Sequence, residues 1–318
     1  MNECSNASPK PQLLEVGEEA VGQRIDNFLF NRLKGVPKGH VYRIVRTGEV
    51  RINGGRCQVS RKLELGDVIR LPPVRVAEIT QAVVPENLIR SRLADRFLHE
   101  DDDFIVLNKP SGIAVHGGSG LQFGIIEGLR QIRPECRSLE LVHRLDRDTS
   151  GCLLIAKKRS ALRLFHELFR DDHRVEKVYV ALLAGAWARK QLEVDAPLKK
   201  NVLHSGERMV KVAPDGKPAA THFRRLRKFG SATLVEAKLI TGRTHQIRVH
   251  SKFMGHPIIG DDRYGDEGTN QVFRTLGLKR LFLHAQRLSF PHPRTGRAFQ
   301  IEAPLDVELE TFLNHLSS

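Results

Sequence analysis

The ten residues Val142-His143-Arg144-Leu145-Asp146-Arg147-Asp148-Thr149-Ser150-Gly151 place two carboxylates beside two arginines inside six positions. They lie between the apolar stretches Leu139–Val142 and Cys152–Ala156. That context predicts a loop between strands, where functional side chains are commonly displayed. Asp-x-Asp followed by Thr-Ser-Gly is also ordinary turn chemistry, because such side chains bond nearby backbone. As a site, the loop could hold an ionised carboxylate against a phosphate-bearing substrate.

A second polar cluster is Thr241-Gly242-Arg243-Thr244-His245-Gln246-Ile247-Arg248-Val249-His250. With a helix starting near Thr244, His245 and Arg248 would share a face at i, i+3. His245 and His250 alone do not make a metal site, which needs further ligands at ordered spacing. The chain has no H-E-x-x-H, nor the H-x-E with P-C-x-x-C of zinc deaminases. The glycine run Val115–Leu121 lacks the G-K-[ST] end of a P-loop and is no G-x-G-x-x-G fingerprint. It reads as a flexible active-site or packing loop. Gly260–Gly265 reads as a turn. The patterns of acyl-transfer enzymes are missing.

These segments need a scaffold, and 318 residues suffice for one large domain or two unequal ones. The 40% hydrophobic and 28% charged fractions are those of a globular protein with a sizeable core. No apolar run approaches the ~20 residues of a membrane helix. The first residues show no basic region followed by an apolar stretch, so neither a membrane location nor a secretory signal is expected. Four scattered cysteines with no C-x-x-C fit a reducing, cytoplasmic setting. The net charge of +14 points to a polyanionic partner, nucleic acid first.

Residues 1–19 are polar and aperiodic and are expected to be a flexible tail. Ile25, Phe28, Leu29 and Leu33 then mark one face of a helix. Gly35 and Pro37 stop it, and Val41, Ile44 and Val45 mark a second helix carrying Arg43 and Arg46 on one side. Val50-Arg51-Ile52-Asn53-Gly54 is a hairpin signal. A short strand closes the unit at Asp67–Leu71. Residues 20–76 hold 12 basic and 4 acidic side chains, more than half of the excess charge. Residues 77–97 look like a linker. From 98 onward the chain is strand-rich with a few helices, an α+β pattern. Phe104–Leu107, Leu153–Ala156, Val178–Leu183 and Ala232–Ala237 are expected strands, and Ala161–Phe169 an expected helix.

The unit at 20–76, with its R-I-D-x-F-L opening and G-x-V-x-I-N-G hairpin, resembles the S4 RNA-binding domain. That resemblance makes Arg43, Arg46, Arg51 and Arg56 candidates for RNA phosphate contacts. Five further segments occur in order. They are Val106–Gly112, His143–Gly151, Lys177-Val178-Tyr179, Gly242–His250 and Gly260–Gly265. Together they resemble the RluA-type pseudouridine synthases over roughly 98–305. The wording of Leu33–Lys38 and of the His116–Gly120 loop resembles the RluC branch, which modifies uridines of large-subunit ribosomal RNA.

The resemblance implies an α+β protein, with a small S4-like RNA-binding domain at 20–76. A larger catalytic domain follows at 98–318, a mixed, mainly antiparallel sheet with flanking helices. It implies isomerisation of uridine to pseudouridine in 23S ribosomal RNA, free or in a large-subunit assembly intermediate, with no obligate protein partner. Such an isomerisation breaks the N-glycosidic bond, turns the uracil and rejoins it through C5. It consumes no group donor, so no cofactor and no metal are expected. Asp146 would be the reacting carboxylate, as nucleophile or base; Asp148 is its rival on chemistry alone. Arg248 would pair with it, Tyr179 would stack on the uracil, and Arg144 would assist base extrusion. Two other readings remain at this level. One is an S4-type binding protein with an inert second domain. The other is a glycosidic hydrolase, which would commonly use two carboxylates across the bond.

Overall fold

The computed structural model describes residues 11–33, 36–74, 92–117, 123–136, 138–170, 174–202 and 208–316. They form two compact units that divide between Val83 and Val84.

In the first unit, strand β1 (Gln12–Glu15) precedes helices α1 (Ile25–Arg32) and α2 (Lys38–Arg46). Strands β2 (Arg51–Ile52), β3 (Gly55–Arg56) and β4 (Val68–Leu71) follow. The sheet order is β1-β4-β2-β3. The expected apolar faces are the ones buried: Ile25, Phe28 and Leu29 on α1, and Val41, Ile44 and Val45 on α2, join Ile52 and Ile69 in one core. Burying each such side chain contributes about 1.5–3 kcal/mol. Asn53 and Gly54 take φ of 51° and 78°, the left-handed pair that a tight hairpin turn needs. Lys34 and Gly35 lie outside the described residues.

The tail is shorter than its polarity suggested. Gln12–Glu15 pair antiparallel with β4, Leu14 opposite Ile69, and Val16 is buried. Without β1, the backbone of β4 would be an open sheet edge, so pairing outweighs the weak apolar content of this segment. Residues 1–10 lie outside the described part. So do residues 75–91, which include most of the expected linker. Its end is structured: a 3-10 turn covers Ala94–Arg96, and Phe97 begins a strand.

The second unit opens with β5 (Phe97–Glu100), β6 (Phe104–Lys109), α3 (Ile125–Ile132) and β7 (Glu140–Leu141). Then come β8 (Ser150–Ala156), α4 (Arg159–Leu168), β9 (Glu176–Ala184) and β10 (Gln191–Asp195). A hairpin of β11 (Leu198–Val202) and β12 (Arg208–Val212) stands apart from the main sheet. The chain continues through β13 (Ala220–Phe229), β14 (Ala232–Leu239), α5 (Gln246–Phe253) and α6 (Glu267–Thr275). It ends with β15 (Leu283–Pro291), β16 (Ala298–Glu302) and α7 (Val307–His315).

The main sheet runs β10-β13-β14-β9-β15-β8-β6-β5, with β16 on β15 and β7 on β8. Every pairing in it is antiparallel except β15 with β8. Both faces are covered, which explains the unbroken apolar run of β9. Tyr179, Ala181 and Leu183 face the core that holds Ile125, Ile126 and Leu129 of α3. Val180 and Leu182 face Phe273 of α6 and Phe312 of α7. Phe104, Leu154, Phe165 and Phe290 pack a third cluster under α4. At the parallel contact Gly151 takes φ of 108°, and a Cβ there would collide with the Ala285 carbonyl. This glycine lets the strand that follows the Asp146 loop dock against β15.

The anchoring of β1 by the buried Val16 that follows it has a direct test. Val16→Asp puts an unpaired carboxylate into the first core, which should cost several kcal/mol. The full-length variant should melt its first unit at a lower temperature; an unchanged thermal midpoint would mean that the N-terminal strand carries no stability.

Candidate active site

The loop between β7 and β8 is fastened from several sides. Leu145 is buried in the main core. The His143 Nε2 accepts a hydrogen bond from the Leu154 N–H at 3.0 Å, and its ring stacks on Phe169. Three donors from the end of β6 and the residues after it grip the other end. The Gly112 N–H and the Lys109 ammonium both donate to the Arg147 carbonyl, and the Ser111 hydroxyl donates to that of Asp148. Lys109 is fully buried and spends its other two protons on the carbonyls of Pro110 and Ile113. Burial pushes this ammonium down to about 7, with the Asp148 charge working against the shift.

Within the loop the two carboxylates part company. Asp148 pairs with its neighbour Arg147 at the surface. Asp146 turns inward, and its Oδ2 lies 3.2 Å from Nη1 of Arg248 and 3.7 Å from Nε2 of His245. Its Oδ1 makes no hydrogen bond to any described residue.

Arg248 sits in the first turn of α5. The helix starts at Gln246, later than the expected Thr244, because His245 takes φ of 54° and cannot be helical. The turn before it is tied by Gln246. Its Oε1 accepts from the Thr241 hydroxyl and the Arg243 N–H, and its Nε2 donates to the Ala220 carbonyl. Arg248 is buried, and Asp261 grips it through two parallel bonds of 2.7 and 2.8 Å. Asp261 Oδ1 also accepts the N–H groups of Arg263 and Tyr264. Burial works against that carboxylate's charge, but the Arg248 guanidinium outweighs it and holds Asp261 below the usual carboxylate range. The Tyr264 ring lies 5.0 Å from the guanidinium carbon.

Asp146 and Arg248 border a cleft of 570 Å³, within the usual size of a small-molecule pocket. Tyr179, Leu239, Ile247 and Leu283 supply its apolar wall, and Arg144 stands exposed at its rim. Burial, reinforced by the Asp146 charge, pushes the Tyr179 phenol up, so it stays protonated. A second cleft of 910 Å³, reaching Arg263, Lys279 and Arg280, shares Asp146, His245 and Arg248 with the first. Asp146 therefore stands where the cleft with the Tyr179 wall meets a second, more polar one.

A scan against protein-family models matches residues 103–252 to the RNA pseudouridylate synthases and residues 23–69 to the S4 domain. The chain is 55% identical to ribosomal large subunit pseudouridine synthase C of Salmonella typhi, over 98% of each chain. The identity is 57% to the same-named protein of Yersinia pestis, over 95% of this chain and 94% of that one. The chain belongs to the RNA pseudouridine synthase family. Among solved structures, human RNA pseudouridylate synthase domain containing 4 superposes with a TM-score of 0.60 at 28% identity, covering 73% of this chain and 97% of that one.

In this synthase, the motif segments expected to act together do meet: Asp146, Arg248, Tyr179 and Arg144 line one cleft. The expected S4 candidates Arg43, Arg46, Arg51 and Arg56 are all exposed in the first unit. Arg43 leans toward Glu49, and Arg46 lies over the Tyr42 ring. His250, half of the discarded metal pair, is buried between the Thr221 hydroxyl and the Ala196 carbonyl. Among the described residues no group of three or more His, Cys, Asp or Glu could hold a metal. Sequence reasoning missed Asp261 and the ring of Tyr264, having taken Gly260–Gly265 for a turn of uncertain role. The available signal was Arg248 itself, since an arginine buried on a helix needs a carboxylate partner.

His143 supplies a pH test. Burial, with the nearby Lys177 ammonium, pushes its imidazole down to about 3. The unfolded chain therefore binds the extra proton first. Stability from this group is complete above the ordinary histidine pKa of about 6.5 and drains away as pH falls toward 3, by at most about 1.4 kcal/mol per pH unit. In His143→Gln, urea titrations across that window should show a shallower loss than in the parent; identical slopes would assign the acid lability elsewhere.

Proposed function

We propose that this synthase isomerises uridines of large-subunit (23S) ribosomal RNA, with Asp146 as the reacting carboxylate. The observation that carries the reading is Asp146 lining one cleft with Tyr179, its Oδ2 held by a buried arginine and its Oδ1 without a hydrogen bond to any described residue. The curated relatives are named for the ribosomal large subunit and match over nearly their whole length, which supports the substrate class. A role in ribosomal RNA processing accords with a cytoplasmic location.

The roles follow from the geometry. A uracil slid into the cleft would lie against Tyr179 and Leu283, with its glycosidic bond at Oδ1. The cleft excludes water from the freed base, which must stay bound while it turns. Arg248 orients the carboxylate whether it attacks C1′ or removes a sugar proton. Tyr179, protonated and buried, offers its ring face to the base and its hydroxyl near C5. Arg144 at the rim is placed to enter the stack as the target base leaves, which offsets part of the few kcal/mol that extrusion costs. No donor or cofactor enters this sequence of bond changes. The surface pairing of Asp148 with Arg147 makes it a poor rival for the reacting group.

Replacing the nucleophile is the first test. Asp146→Asn keeps the shape and removes the charge. It should abolish pseudouridine formation, read by chemical mapping of large-subunit RNA from a deletion strain carrying the variant, while RNA binding persists. Wild-type levels of modification would refute the assignment, and release of free uracil by the parent would favour a hydrolase.

The S4 unit would supply binding energy through phosphates. Every phosphate that an arginine no longer neutralises lowers the slope of log K against log salt by about 0.7–0.9. The double variant Arg43→Glu, Arg46→Glu should therefore bind ribosomal RNA more weakly and with a flatter salt dependence. An unchanged slope would remove these two side chains from the interface.

A further inference from the structure

The mechanism above leaves one group at the reacting carboxylate unused. His245 points Nε2 at Asp146 Oδ2 from 3.7 Å, and its Nδ1 is 2.8 Å from the Tyr264 hydroxyl. That hydroxyl accepts the N–H of Val210, on β12, at 3.0 Å. The Tyr264 side chain is buried, as is its bond to Val210. Its one proton needs an acceptor, and Nδ1 is the only one in reach among the described residues. A proton on Nδ1 instead would leave two donors facing one oxygen and a buried O–H with no partner, which is costly. The hydroxyl therefore donates to Nδ1, and the imidazole proton resides on Nε2, facing Asp146.

His245 is also one of only two non-glycine residues with positive φ among those described. Such a conformation persists where the surroundings over-determine it and is concentrated at functional positions. Here it carries the ring out of the helix and aims it at Oδ2.

We propose that His245 is a positioning residue: as the neutral Nε2–H tautomer fixed by Tyr264, it steers Asp146 through Oδ2 and keeps Oδ1 turned to the substrate. The proposal deepens the reading of Asp146 as the reacting carboxylate and rests on it. The 3.7 Å separation is an electrostatic contact; filling the cleft shortens it to a hydrogen bond, as catalytic contacts commonly tighten with substrate. Through Val210 the same chain ties the carboxylate to the β11–β12 hairpin. That hairpin displays Lys199, Lys200 and Lys211 to solvent. RNA seated on the hairpin thus bears on the reacting group. The charged and titratable groups facing the ring are Asp146, Arg248, Arg263, Asp261 and Tyr264. Carboxylates, guanidiniums and phenols ordinarily keep one protonation state near neutrality, and burial holds the His245 imidazole below its ordinary value, so it responds only below about pH 6.5.

Two measurements on the full-length chain decide it. Nitrogen-15 imidazole spectra of the wild type at neutral pH, with His245 assigned by subtracting the His245→Gln spectrum, should show the Nε2–H tautomer. The Nδ1–H form would overturn the proposal whatever any variant does. The second is kinetic. Tyr264→Phe keeps the ring on Arg248 and releases Nδ1, so the proton can leave Nε2. Its kcat should fall about tenfold, the scale of a small loss of orientation, with KM unchanged. That kcat should then recover as pH is lowered below about 6.5 and protonation restores the Nε2–H donor. The wild type should show no such recovery. His245→Gln, with a donor that does not titrate, should be more active than His245→Leu and insensitive to pH in this window. Parallel pH profiles for Tyr264→Phe and wild type, or equal losses in the two His245 variants, would reduce the pair to packing. An active Asp146→Asn variant would defeat the nucleophile assignment yet leave the tautomer result standing, so the two failures are distinguishable.

Discussion

Arg248 keeps nine-tenths of its side chain from water, and a buried cation is tolerable only with a counter-charge in good geometry. Asp261 provides it, fully buried, through two parallel bonds. Such a pair stabilises little by itself, since desolvation consumes most of the attraction. Removing one partner, however, leaves a stranded charge that costs about 3–5 kcal/mol. The pair is therefore fixed, and what it fixes is the third N–H direction of the guanidinium, Nη1, aimed at Asp146. A planar fork with five donors can serve two carboxylates at once; a lysine could not. The site is thus an arginine shared unequally between a buried structural aspartate and a partly exposed chemical one.

The carboxylate has to arrive at that N–H from a different part of the chain, and the end of β6 and the residues after it deliver it. Lys109, Ser111 and Gly112 donate to the carbonyls of Arg147 and Asp148, one and two residues beyond Asp146. Gly151 then permits the close approach of β8 to β15. The loop is bounded by backbone bonds on one side and by a strand contact only glycine allows on the other. The side chains of Arg144 and Arg147 stand exposed on it, while Asp146 turns inward to Arg248. That is the distribution a reaction with two bond changes and a turning base requires: a fastened frame, a held carboxylate, and an exposed arginine at the mouth.

Local order was legible from sequence wherever one periodicity dominated. The apolar faces of α1 and α2, the Asn53-Gly54 turn and the buried strands β6, β8 and β9 follow from spacing alone. So does the placement of the 142–149 loop between strands. Three things were not legible, each because a longer-range interaction overrode a local one. Gln12–Glu15 is polar, yet becomes a strand because β4 offers an edge. Thr244 and His245 look like the start of a helix, yet His245 is turned left-handed by its partners Tyr264 and Asp146. Gly260-Asp261 has the composition of a turn and forms one, and nothing local says that its carboxylate will bind an arginine 13 residues back. The pairing of Asp146 with Arg248, 102 positions apart, was reachable only by family resemblance.

The polar chain from Val210 through Tyr264 and His245 places a further constraint on how this site evolved its geometry. Tyr264 does two jobs with two parts of one side chain: its ring face meets the Arg248 guanidinium, and its hydroxyl sets the His245 proton. Arg248 and His245 both converge on Asp146 Oδ2. One tyrosine therefore sits behind both groups that hold the carboxylate, and one backbone N–H of the β11–β12 hairpin sits behind the tyrosine. A carboxylate gripped by two donors on the same oxygen can turn only about that oxygen. The direction of its other oxygen is then set by those donors, in a carboxylate that lines one cleft with Tyr179. Orientation of the reacting atom is in this sense set from behind, by groups that need never touch the RNA base.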